Sequence, residues 1–111
     1  HSDHRQAFNA VLACTKTFRY PSVEKVLMME VISETDFALA LPESGFVPNY
    51  FVNITNEFEK KLHILGLYGQ ELLPYPQSRN ISAMTALNRY RGSQCGCEYA
   101  ESFMLIKSIE R

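Results

Sequence analysis

The chain opens with His1-Ser2-Asp3-His4, two imidazoles three positions apart with a carboxylate between them. Neutral imidazole is a common zinc ligand, and a neighbouring carboxylate fixes its tautomer and raises its basicity. The same residues stand where a loop should become a helix. A helix N-terminus adds partial positive charge that favours a developing oxyanion. Taken alone, H-x-D-H is also what an ordinary polar helix start looks like.

A second group of polar residues surrounds an apolar run. Glu30 interrupts Val26-Leu27-Met28-Met29-Glu30-Val31-Ile32, and a buried carboxylate is costly without a partner. It either pairs with Arg5 or another base, or faces a pocket. Ser33 and Thr35 lie just past that run, where ligands gather in open α/β sheets, so both are candidates for a substrate rim. Arg91, with Arg89 nearby, either contacts a phosphate or sugar hydroxyls or belongs to a solvated helix face. Cys95 and Cys97 form a lone C-x-C, readable as a metal pair or as small buried thiols near a helix end. His63 reads as a surface residue.

The spacing of apolar residues indicates the scaffold. Ala7, Phe8, Val11, Leu12 and Thr15 recur with helical period, which predicts a helix from about Asp3 to Phe18, with Asp3 as N-cap and a stop at Tyr20-Pro21. The run over 26–32 predicts a strand buried on both faces. Residues 33–48 contain Pro42, Gly45 and Pro48 and form a long connection of the kind that makes lids or rims. Residues 50–54 read as a second strand. Asn56 followed by Glu59 has the pattern of a capping box, opening a helix with the stripe Phe58, Leu62, Leu65 and Tyr68 and with Gly69 as C-cap. A third helix is expected from Asn80 to Cys95, with Met84, Leu87 and Tyr90 on one side. Residues 102–106 read as the last strand. This order indicates an α/β sheet with helical cover. Three strands are few for three helices, which points to further strands outside this segment.

Composition narrows the function. Hydrophobic residues make up 46% and charged residues 21%, which fits one folded domain rather than a disordered chain. The 11 lysines and arginines are scattered and the net charge is -1, so the basic stripe of a nucleic-acid binder is missing. No apolar run approaches the roughly 18 residues of a membrane span. The polar start is unlike a signal peptide, and three cysteines cannot close a disulfide framework, so a reducing, cytoplasmic setting is expected. Without a secretory signal, the sequons at Asn53 and Asn80 carry little weight.

The H-x-D-H start, Phe51-Val52-Asn53-Ile54 ahead of an acidic helix, and Pro74-Tyr75-Pro76 occur in that order. They are followed by Arg89-Tyr90-Arg91-Gly92-Ser93-Gln94 and Glu98-Tyr99-Ala100-Glu101-Ser102-Phe103. The series resembles the C-terminal half of the PIG-L/LmbE-like deacetylases, the family of N-acetylglucosaminyl-phosphatidylinositol de-N-acetylases and their bacterial relatives. The resemblance covers essentially the whole chain. It implies a Rossmann-like three-layer α/β fold, with residues 1–111 as the C-terminal half of a single deacetylase domain.

The resemblance also implies one zinc ion and the hydrolysis of an N-acetyl group on a GlcNAc-type sugar derivative. By motif position His4 is a zinc ligand, His1 assists as acid or stabilises the oxyanion, and Asp3 orients His1. Ser2 stands where the family usually has proline, which loses a rigid φ but no chemical group. The other two ligands and the general base belong to an A-H-P-D-D-E motif that this chain lacks, so it is expected to be inactive alone. Relatives often form homo-oligomers. The competing expectation is a non-catalytic α/β binding or assembly module of the same fold.

Overall fold

The computed structural model describes residues 2–32, 34–37, 41–42 and 45–111. Among them are helices α1 (Ser2–Ala13), α2 (Phe58–Gly66) and α3 (Ile81–Cys95) and strands β1 (Lys25–Met29), β2 (Tyr50–Asn53) and β3 (Ala100–Ser108). Short 3-10 turns occupy Thr35–Phe37, Thr55–Glu57 and Gly69–Glu71. The fold is mixed α/β, with a three-stranded antiparallel sheet in the order β1-β3-β2. Contacts divide the chain into two units, residues 1–28 with 105–111 and residues 29–104.

In the first unit, α1 stops at Ala13 rather than at Phe18. The cause is local. The Thr15 hydroxyl donates to the Leu12 carbonyl at 2.8 Å, while the Cys14 and Thr15 amides reach back only three residues, to Val11 and Leu12. Such side-chain bonding competes with helix propagation. The Lys107 ammonium then donates to the Thr15 carbonyl at 2.9 Å. Asp3 lies in the first turn of α1 and is not its cap. The Ile109 amide donates to the Glu24 carbonyl at 2.8 Å, just beyond the ends of the adjacent strands β1 and β3. Phe8 and Val11, expected on a covered face of α1, are exposed.

The second unit holds the tighter packing. β2 runs antiparallel to the start of β3, with Tyr50 opposite Phe103 and Asn53 opposite Ala100. The Tyr50 and Phe103 rings meet edge to face at 6.3 Å, and such a cross-strand pair is the unit of sheet stability. Phe58, at the start of α2, is buried and stacks on Tyr99 with centroids 3.7 Å apart. α3 packs on β2.

α3 forms where the sequence places it. The Asn80 side chain accepts from the Ala83 amide at 2.8 Å, and Gly96 closes the helix in the left-handed region at φ 78°, a conformation glycine adopts without a Cβ penalty. α2 differs. No capping box forms; a 3-10 turn precedes the helix, with no side-chain cap. Asn53 accepts from both the amide and the hydroxyl of Thr55, an Asx turn that tightens the chain one turn early. The helix ends at Gly66, Gly69 begins a separate 3-10 turn, and Tyr68 is exposed. β1 is also not buried on both faces. It is half-buried through its middle, and Met29 is exposed, as an antiparallel sheet allows.

Candidate functional site

The residue just past β1 organises the second unit. Glu30 receives two bonds from the Arg91 fork, Nε to Oε1 at 2.9 Å and a terminal nitrogen to Oε2 at 2.6 Å. Ser102 on β3, itself buried, donates its hydroxyl to Oε1 at 2.9 Å. The Arg91 and Glu30 side chains are only 14% and 13% exposed, so this bidentate, charge-assisted pair is largely shielded from water. The hydrogen bond from Glu30 is the largest cause of a guanidinium pKa raised above its ordinary value, with burial opposing it. A third Arg91 nitrogen donates to Gln94 at 2.8 Å.

Two recesses meet at Glu30. The larger, about 330 Å³, is lined by Glu30, Ile32, Thr35, Phe46, Ser78, Ala83, Leu87 and Arg91. The smaller, about 190 Å³, shares Glu30, Ile32 and Leu87 and adds Lys61, Asn88 and Glu101. There the Lys61 ammonium bridges Glu101 at 2.6 Å and the Asn88 carbonyl oxygen at 3.0 Å. The buried Asn88 amide donates to the Ala100 carbonyl at 2.8 Å. The larger recess, apolar-walled with a few convergent polar groups, lies at the low end of small-molecule site volumes, and the smaller lies below it.

The structure brings two of the sequence-derived rim residues together and separates the rest. Thr35 and Arg91 line the larger recess. The Thr35 hydroxyl is committed to Val31, donating to its carbonyl at 2.9 Å. Arg91 is not on a solvated face, because Glu30 draws it inward; Arg5 is not the partner. Asp3 and His4 are exposed on the first turn of α1, in the other unit. His1 and Ser33 lie outside the described residues.

Sequence reasoning missed Lys61, Asn88 and Glu101, which lie 13 to 40 residues apart along the chain and share no local pattern. It also expected buried thiols. Instead Cys95 is exposed and Cys97 half-buried, with sulfurs 3.4 Å apart.

Among the described residues, no group of three or more His, Cys, Asp or Glu could hold a metal ion. A catalytic zinc takes three protein ligands, so the described residues do not fit a complete zinc site; His4 is exposed at the start of α1. No helix among the described residues is long and apolar enough to cross a membrane. No family model, no curated protein and no solved structure matches the chain.

Proposed function

We propose that the chain is part of a zinc-dependent N-deacetylase of the PIG-L/LmbE-like kind, acting on an N-acetylated sugar derivative in the cytoplasm. In this reading His4 is one metal ligand, His1 and Asp3 form the acid and its orienting partner, and another segment brings the remaining ligands. The β1-β3-β2 sheet is then one part of a Rossmann-like three-layer fold, in which an antiparallel portion on a larger parallel sheet is common. Homo-oligomers are included in the proposal.

The observation that carries it is the position of Asp3 and His4, adjacent and accessible on the first turn of a 12-residue helix. That is where a ligand imidazole is accessible to a metal and a helix dipole serves an anion. Thr35, Arg91 and, by sequence position, Ser33 are the substrate-rim residues of the reading. Zinc, when bound, polarises an amide carbonyl and lowers the pKa of water. The chain's own part is to present the ligand histidine on α1 and, separately in the second unit, the polar groups of the recess beside Glu30.

The commitment of Glu30 to Arg91 and Ser102 favours one competitor, a non-catalytic binding module, because among the described residues the larger recess then offers no acid free for proton transfer. Zinc content and acetate release from N-acetylglucosamine conjugates, measured on the full protein and on His4→Ala, separate the two. The deacetylase reading expects His4→Ala to lose most bound zinc and at least about a hundredfold in rate. Wild-type zinc content in that variant refutes the ligand assignment. Sugar binding without zinc or acetate release establishes the module.

A further inference from the structure

We propose that Cys95 and Cys97 form a redox-active dithiol that closes reversibly to an intramolecular disulfide. Their sulfurs are 3.4 Å apart, about 1.4 Å beyond the S–S bond length of about 2.05 Å. The helix end produces this approach. Cys95 is the last residue of α3, Gly96 turns left-handed at φ 78°, and the Cys97 amide donates to the Gly92 carbonyl at 3.0 Å. Side chains separated by one residue would lie about 7 Å apart along an extended strand; the glycine turn brings these two into contact.

The sites differ in a way that orders the chemistry. Cys95 is exposed and Cys97 half-buried, and the Cys97 thiol donates to the Tyr99 carbonyl at 3.3 Å. Burial first, then the contact with Cys95, push the Cys97 thiol up from its ordinary value. The accessible Cys95 therefore reacts first with a low-molecular-weight disulfide. Its thiolate attacks one sulfur and expels the other as a thiolate, leaving a mixed disulfide on Cys95. The Cys97 thiolate then attacks the Cys95 sulfur and expels the second thiolate. The two cysteines lose two electrons and two protons, and the external disulfide becomes two thiols. So short a loop removes little chain entropy, and an exposed disulfide of this kind is readily reduced. The bond is a reversible one.

Closure withdraws the Cys97 proton from the carbonyl of Tyr99, whose ring stacks on buried Phe58. Redox state is thereby coupled to the entry of β3. None of this requires zinc, so its fate is separate from that of the deacetylase reading.

The test uses the full protein with chelator present and oxidised glutathione as the probe, read by intact mass and thiol titration. Cys14→Ser is expected to lose two thiols and two hydrogens with no retained glutathione, wild type to show the same closure with glutathione retained only on exposed Cys14, and dithiothreitol should restore the thiols of both. Cys97→Ser is expected to stop at a mixed disulfide on Cys95. Stable glutathione on wild-type Cys95, dimers linked through Cys95 or Cys97, or both thiols surviving in Cys14→Ser would each overturn the proposal.

Discussion

Replacing Arg91 with methionine removes a guanidinium fork while keeping most of the side-chain volume. Glu30 would then keep only the Ser102 hydroxyl of its three donors. Breaking a buried ion pair from one side costs about 3–5 kcal/mol, chiefly because the other charge stays behind in a poorly solvated place. The 13% exposure of Glu30 lets water screen part of that, so the low end, about 3 kcal/mol, is expected. For a chain of this length each kcal/mol moves the midpoint by about 4 °C, giving a fall in Tm of about 12 °C.

The double variant Glu30→Leu/Arg91→Met should recover most of the loss, since replacing both charges by apolar groups is often near neutral. Thermal and urea unfolding of the four members of this cycle measure a coupling energy, expected to exceed about 2 kcal/mol. The pair Arg111–Glu24, with side chains 55% and 50% exposed, is the internal control; Arg111→Met should cost under about 0.5 kcal/mol.

The pH behaviour follows from the sign of the shift. Folding raises the Arg91 pKa, so its contribution is complete below the unfolded value and is lost only as pH rises through the still higher folded value. Arg91 therefore adds no slope to stability between about pH 6 and 9. If Arg91→Met and Arg111→Met cost the same, Glu30 and Arg91 do not hold the second unit together and the recess needs another origin.

Three further substitutions test the packing. A Cβ at Gly92 would lie 2.5 Å from the Cys97 carbonyl oxygen and 2.7 Å from that of Glu98, both backbone atoms. Gly92→Ala should cost about 3 kcal/mol, whereas Gly66→Ala, with nothing within 4 Å, should stabilise by about 0.5 kcal/mol; equal midpoints in urea would refute the close approach of α3 to the turn before β3. Asn88→Ala strands the Ala100 carbonyl and takes one acceptor from Lys61. A loss of about 2–3 kcal/mol is expected, and faster hydrogen exchange at the start of β3 should accompany it.

What the sequence disclosed depended on how far each cause reaches along the chain. α3 was legible at both ends because its caps, Asn80 and Gly96, act on neighbours within four residues. The start of α2 was misread for an equally local reason: Asn53 engaged Thr55 before Asn56 could cap. Burial was less accessible, because exposure of Met29, Tyr68 or Cys95 is decided by what packs from elsewhere. Glu30 is the instructive case. Its need for a base followed from its apolar surroundings, but Arg91 is 61 residues away, and nothing in the local pattern prefers it to Arg5. The rim candidates Thr35 and Arg91 converge for the same long-range reason, since Glu30 recruits Arg91 toward the recess that Thr35 borders.

The same ion pair limits what the recess can bind. Glu30 and Arg91 cancel in charge, so the described lining residues of the larger recess carry no net charge. The hydrogen-bond balance is uneven, however. A guanidinium carries five N–H donors, and three are used by Glu30 and Gln94. The Glu30 carboxylate meanwhile accepts three bonds. Donors are thus left over where acceptors are nearly spent. In the proposed reading, that surplus is what the hydroxyls and carbonyl of an N-acetylated sugar would meet, at less desolvation cost than an unpaired charge.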